Sequence, residues 1–227
     1  MSYTLIVAAL VIAIVNWFAV WKTLKWLEFI TKPAVMVALM IWVWQVSELQ
    51  GQMLWFFLGL LFSLVGDVLL MLPRVQLLAG LGAFLITHLC YIIGIIELPP
   101  QLNPVNFIIA ALILFPAIMI MHQFYHGLKK LGKDKLIIPV LIYSFVISIM
   151  MSVALSTFFR SDWQFLPAFL VSCGALLFYV SDSVKGWDMF VNPLAFGKLF
   201  VRIPYHIGQI LIILGAALHY VTLFQYK

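Results

Sequence analysis

Eight stretches of mostly apolar residues divide the chain, at 4–21, 33–47, 53–72, 76–96, 105–125, 136–158, 163–184 and 200–224. Most are near the ~20 residues that a helix needs to cross the hydrocarbon core, so each predicts a membrane-spanning helix. The second is the shortest, and Lys32-Pro33 is expected to open it. Between them lie breaks marked by Pro73-Arg74, by Leu98-Pro99-Pro100 with Asn103-Pro104, and by Gly132-Lys133-Asp134. Pro116, Pro139, Pro167 and Pro204 fall within or near the starts of spans, where membrane helices tolerate proline. The fold class expected is therefore an all-α polytopic membrane protein, with residues 1–227 forming a single transmembrane helical domain.

Composition strengthens this reading. The chain is 65% hydrophobic and only 9% charged, which excludes an ordinary soluble domain. No positive region precedes the first apolar stretch, and lysines follow it, so it reads as a retained first span rather than a cleavable signal. Cys90 and Cys173 both lie in mid-span apolar sequence and read as small packing residues.

The positions of the basic residues give an orientation. With the N-terminus outside, the inner loops hold Lys22, Lys25, Lys32, Arg74, Lys129, Lys130, Lys133, Lys135, Lys185, Lys198 and Arg202, and the outer side keeps Arg160 and Lys227. Eleven against two is a strong positive-inside bias, and an even number of spans puts both termini on the extracytoplasmic side.

Two carboxylates do not fit the breaks. Asp67 lies in FSLVGDVLLML and Asp182 in LLFYVSDSV, whereas the other six acidic residues fall in or beside polar connections. A carboxylate at membrane depth is costly and marks a functional site by default. In the orientation above, Asp67 lies about five residues, ~7–8 Å of helix rise, from the cytoplasmic end of its span. Asp182, Tyr205, His206 and Gln209 sit near the same side, Lys32 opens the second span there, and His88 lies near mid-depth in the fourth. Ser63 and Asp67 are four residues apart, as are Tyr205 and Gln209, so each pair shares a helix face. Phe84, His88 and Tyr91 form one stripe. Small residues such as Gly59, Gly66, Gly174 and Gly208 let helices approach closely. Together these predict a polar cavity inside a bundle, open toward the inner leaflet.

In order along the chain, SLVGDVLLMLP, GAFLITHLCY, GALLFYVSD and YHIGQILI resemble the YhhN-like lysoplasmalogenase family of eight-span membrane proteins, over residues 32 to 213 or so. The last motif of that family is usually closer to Tyr-Tyr-x-Ala-Gln, and here it runs Tyr205-His206-Ile207-Gly208-Gln209. The resemblance implies hydrolysis of the vinyl ether bond of lysoplasmalogens, with a lysophospholipid substrate and membrane lipids as partners. It implies no cofactor. The products would be a fatty aldehyde and glycerophosphoethanolamine or glycerophosphocholine.

Two carboxyl groups suit that reaction. Hydrolysis of a vinyl ether begins with a proton delivered to carbon, which leaves an oxocarbenium ion that water then captures. The acid must keep its proton near neutral pH, and burial or a second carboxylate raises a carboxyl pKa. The cation needs a negative charge nearby and a base for the water, a division of labour also found between glycosidase carboxylates. Asp67 and Asp182 are thus expected to form a dyad, with the deeper Asp67 carrying the proton. Tyr205, Gln209 and Ser63 would orient it, His88 and His206 would support it, and Lys32 would meet the phosphodiester at the cytoplasmic mouth. A proton-coupled transporter of a small molecule or lipid is the alternative, since intramembrane carboxylates also line proton paths. A zinc hydrolase is a weaker rival. Asp67, Asp182, His88 and His206 are suitable ligand types, yet no His-x-x-x-His pair falls at site depth. No nucleic-acid motif, phosphate-cradling loop or nucleophile elbow is present.

Overall fold

A computed structural model of the protein describes residues 2–72, 76–96 and 104–225, with side chains in the last helix described to Val221. The breaks expected at Pro73-Arg74 and Leu98-Pro99-Pro100, with Asn103 and Lys227, lie outside the described residues. The described chain forms eight helices, each long and apolar enough to cross a membrane. They are α1 (Thr4–Trp21), α2 (Lys25–Ser47), α3 (Met53–Met71), α4 (Leu77–Ile95), α5 (Pro104–Lys130), α6 (Ile137–Ser156), α7 (Phe165–Phe190) and α8 (Gly197–Gln225). Single 3-10 turns precede and follow α6.

Two boundaries differ from the sequence reading. Pro33 does not open the second helix; α2 begins at Lys25, and Pro33 sits inside it. A proline within a helix disturbs the preceding turn, and here side chains reach carbonyls of that turn. Thr31 Oγ1 donates to Leu27 O at 2.6 Å, and Asn16 Nδ2 of α1 donates to Glu28 O at 3.2 Å. Neither of these is Phe29 O, the carbonyl four residues back that loses its backbone donor at Pro33, a loss that membrane helices tolerate. In the same way α7 runs on to Phe190, six residues past the expected end, so Asp182 and Lys185 both lie on its helical face. Helix α5 likewise runs past the expected end at 125 to Lys130, and His122 and His126 on it bond to each other at 3.0 Å.

Successive helices pack side by side except at one place. The order around the bundle is α1, α2, α3, α4, α6, α7, α8 and back to α1, with α8 also reaching α2 and α3. Helix α5 lies outside this ring against α6 and the edge of α7, and it shares no substantial contact with α4. It buries only Ile109, Ala117, Phe124 and Leu128. Its exposed residues include Phe107, Ile108, Leu112, Phe115, Ile118 and Met119. On α1 the exposed residues Val7, Val11, Ile14 and Phe18 recur at helical spacing, opposite buried Ala9, Ala13 and Asn16. Continuous apolar surface of this kind is stable against lipid chains and not against water.

The most extensive packing is between α7 and α8. A Cβ on Gly174 would stand 2.7 Å from Gly208 O, and one on Gly208 would stand 2.8 Å from Gly174 O. Only residues without a side chain allow that crossing, and it brings Phe178 of α7 against Tyr205 of α8, ring centroids 5.3 Å apart.

Candidate active site

Two hydrogen-bonded sets form at the end of the bundle where α3 and α7 finish. The first is built on Asp67, which is 0% exposed. Lys32 Nζ of α2 meets Asp67 Oδ1 at 2.5 Å as an ion pair. Tyr205 of α8 donates its hydroxyl to Asp67 Oδ2 at 2.8 Å. One turn on, Gln209 Nε2 donates to Ser63 Oγ at 2.8 Å, and Tyr91 of α4 donates to Gln209 Oε1 at 2.5 Å. Thr87 ties Ser63 to α4 at 3.2 Å and donates to Gly59 O at 3.1 Å. The shared faces Ser63/Asp67 and Tyr205/Gln209 therefore meet each other across α3 and α8, each residue bonding its opposite.

The second set is built on Asp182, which is 13% exposed. Tyr143 of α6 donates its hydroxyl to Asp182 Oδ2. His88 Nε2 lies 2.9 Å from the Tyr143 hydroxyl and 3.5 Å from Asp182 Oδ2. His88 thus joins Asp182 rather than Asp67, and its buried Nδ1 has no partner among the described residues.

Among the described residues no hydrogen bond or ion pair joins Asp67 to Asp182. Aromatic rings connect the two sets. Phe178 lies 4.8 Å from the His88 ring and 5.3 Å from Tyr205, and Phe84 packs edge-on against both Phe178 and Tyr205. Lys185, one turn beyond Asp182, lies in the electrostatic range of both carboxylates.

Lys32 is not at the mouth. Because α2 starts at Lys25, Lys32 lies about two turns inside the helix, only 6% exposed, and its charge is met by Asp67. Glu28, expected in a polar break, is on α2 and pairs with Arg202 of α8 at 2.5 Å. His206 is buried beside Tyr205, ring centroids 5.3 Å apart, and accepts a hydrogen bond at Nδ1 from Trp17 Nε1 at 3.0 Å. Among the described residues no three His, Cys, Asp or Glu side chains converge as metal ligands.

Asp182, Tyr143, Lys185 and Phe84 line a cleft of about 680 Å3, counting its open side. Its other walls are apolar side chains of α3, α4, α5, α6 and α7, among them Leu81, Ile120, Phe124 and Ile147. Leu77 and Leu81 of α4 and Phe124 of α5, which share one apolar cluster, all line it. Asp67 is not among its lining residues. Tyr143 and Lys185 were not singled out from the sequence as site residues. Lys185 carried a usable signal, standing three residues after Asp182 on the same face; a tyrosine in an apolar span carries little.

The sequence profile of the YhhN family matches residues 27–216. The chain is similar to the mouse protein named lysoplasmalogenase TMEM86B, 26% identical over 215 residues, which covers 92% of this chain and 85% of that one. It is 28% identical to the human protein of that name, covering 88% and 81%. A Mycobacterium bovis protein named lysoplasmalogenase is 33% identical over 170 residues, 71% of this chain and 59% of the relative. No solved structure matches.

Proposed function

This chain belongs to the YhhN family, and from that membership and the geometry above we propose that it is a membrane ether hydrolase acting on lysoplasmalogens. Its products are a fatty aldehyde and glycerophosphoethanolamine or glycerophosphocholine. The observation that carries the reading is Asp182, hydrogen-bonded by Tyr143, on the wall of an apolar cleft lined by α4, α5, α6 and α7. Relatives named lysoplasmalogenase support the reaction class.

The reaction adds water across a vinyl ether, RO–CH=CH–R′. The acid places a proton on the carbon remote from oxygen, and the adjoining carbon becomes part of an oxocarbenium ion. Water adds there and returns its proton to the Asp182 carboxylate left by the first step, and the hemiacetal collapses to the alcohol ROH and the aldehyde. Asp182 faces the cleft and takes the acid role, with Tyr143 and His88 setting its orientation. Asp67, held by Lys32 and Tyr205, supplies a fixed charge behind the Phe84 and Phe178 rings. The Gln209, Ser63 and Tyr91 bonds hold α3, α4 and α8 in register around it. The protein would lie in the inner membrane of a bacterium, with its termini outside and this end of the bundle toward the cytoplasm.

The test is aldehyde release by purified, folded Asp182→Asn and Asp67→Asn variants. Loss of a positioned general acid costs ~10²–10⁴ in rate, so Asp182→Asn is expected to fall at least 100-fold. Full activity in Asp182→Asn ends the assignment of the acid, and full activity in both ends the carboxylate reading. A proton-coupled transporter is the second reading, favoured by the buried charge pair Lys32–Asp67. Substrate-driven proton uptake into proteoliposomes without product would establish it instead.

A further inference from the structure

Three cations reach into this end of the bundle from α2, α7 and α8, and two of them are paired. Lys32 is held by Asp67 at 2.5 Å and Arg202 by Glu28 at 2.5 Å. Lys185 is half-buried and lines the cleft. Among the described residues no carboxylate stands within ion-pair distance of it. Its ammonium lies 5.6 Å from the Phe84 ring centre, over the face of the ring. A cation with no direct ion-pair partner beside apolar walls is costly, and a ligand anion would supply that contact.

The wall of α7 presents groups in a definite order. Lys185 is three residues nearer the helix end than Asp182, and Tyr179 is three residues deeper. Residues three apart on a helix stand ~5–6 Å from each other at Cβ. Beyond Asp182, the cleft continues between Ala117 of α5, Ile147 of α6 and Tyr179. Read from the helix end inward, the order is cation, carboxyl, apolar trough. A single-chain glycerophospholipid has the matching order of phosphodiester anion, glycerol with its ether oxygen, and hydrocarbon chain. From that ether oxygen to phosphorus there are five bonds of ~1.5 Å, an extended reach of ~6 Å, close to one turn of helix.

The geometry points to Lys185 as the residue that binds the phosphodiester, with the glycerol lying along the Lys185–Asp182 turn and the chain in the apolar trough beyond it, between α5, α6 and α7. This subsite rests on the hydrolase reading for what happens at Asp182, but not for the binding itself. It assigns to Lys185 the charge contact that Lys32, committed to Asp67, does not make.

The test separates binding from chemistry by using ligands without a vinyl bond. Purified protein is titrated with a saturated 1-O-alkyl-glycero-3-phosphoethanolamine and with the 1-O-alkylglycerol of equal chain length, and affinity is read from the shift in thermal unfolding. Hydrogen bonds to charged groups contribute ~1.5–3 kcal/mol, which is roughly 10- to 150-fold in affinity. The wild-type chain is expected to prefer the phosphorylated ligand by at least tenfold. Lys185→Gln is expected to abolish that preference while leaving alkylglycerol binding unchanged, and Lys185→Arg to restore most of it. A wild-type preference below threefold overturns the subsite without recourse to any variant. So does a Lys185→Gln protein that loses both ligands equally or neither. Lys185-dependent binding with no aldehyde released from a vinyl ether substrate keeps the subsite and removes the hydrolase reading. Hydrolysis with a KM indifferent to Lys185 does the reverse.

Discussion

The ion pair between Lys32 and Asp67 allows a quantitative test of how the site is built. Its side chains are 6% and 0% exposed, and Nζ lies 2.5 Å from Oδ1. Lys32→Met would leave a buried carboxylate facing only the Tyr205 hydroxyl. Removing one partner of a buried pair costs ~3–5 kcal/mol, whereas replacing both partners with neutral groups of similar size is close to neutral. For a chain of this size about 1 kcal/mol moves Tm by ~2–4 °C, so Lys32→Met is expected to unfold roughly 6–20 °C below wild type. Adding Asp67→Asn to it removes the stranded charge, and the amide oxygen still accepts from Tyr205. The double variant should regain most of the lost Tm, within ~4 °C of wild type, while remaining inactive in aldehyde release. The assay is tryptophan-fluorescence melting in one detergent at one protein concentration, with the two single variants and the double forming a cycle. A Lys32→Met protein that melts like wild type, or a double variant less stable than either single, refutes the picture of a dry pair whose members hold each other in place.

Other expectations follow from particular contacts. Tyr143→Phe removes the donor to Asp182 and the partner of His88; kcat should fall about tenfold with KM unchanged, and an equal change in both would mark Tyr143 as a substrate contact instead. Gly208→Ala places a methyl against Gly174 O and Phe178 N; overpacking of this kind costs ~1–3 kcal/mol, seen as a lowered melting temperature, whereas Gly82→Ala, with open space around it, should melt within 2 °C or so of wild type. At the opposite end of the bundle, Arg160 donates through Nε and Nη2 to the two Asp162 oxygens at 3.1 and 2.6 Å and through Nη1 to Ile95 O at 2.7 Å. Burial pushes the Asp162 carboxyl up, but the Arg160 hydrogen bond and charge outweigh it and hold the group below its ordinary value. A carboxyl depressed in the folded state contributes stability above its unfolded pKa of about 3.9 and loses it as pH falls through the folded value. Melting curves between pH 6 and pH 3 should therefore decline more steeply for wild type than for Asp162→Asn, and parallel curves would contradict this.

The eight helices could be read from hydrophobicity because a bilayer demands one apolar turn after another, and that demand leaves its mark on composition. Helix ends were harder to read wherever the chain stays helical after its sequence turns polar. The Trp26–Glu28 turn of α2 and the Lys185–Asp188 turn of α7 look like connections in sequence, yet backbone bonding carries both helices onward. Proline at 33 misled for the same reason, since α2 runs through it and a membrane helix tolerates the one backbone bond it removes. Within the site, Asp67, Tyr205, Gln209 and Ser63 were legible because polar groups four residues apart on apolar helices are conspicuous. Which carboxylate takes Lys32 and which takes His88 was not, because that depends on how α2 and α4 are rotated about their axes. That α5 packs on α6 and α7 rather than on α4 is a tertiary matter entirely. Neither helix has a sequence feature that declares which neighbour it will avoid.

The glycine crossing of α7 over α8 has a mechanical consequence. Backbones in van der Waals contact at Gly174 and Gly208 act as a rivet a little over two turns from Asp182 on one helix and one residue from Gln209 on the other. Outside the ring, α5 has a thin seam of buried residues to grip with, and it is held to α7 near one end, where Gly127 meets the Phe190 carbonyl. Thermal agitation and membrane tension will then deform the molecule unevenly: the α5 flank can swing aside to admit a bulky guest while the riveted flank keeps its bond lengths.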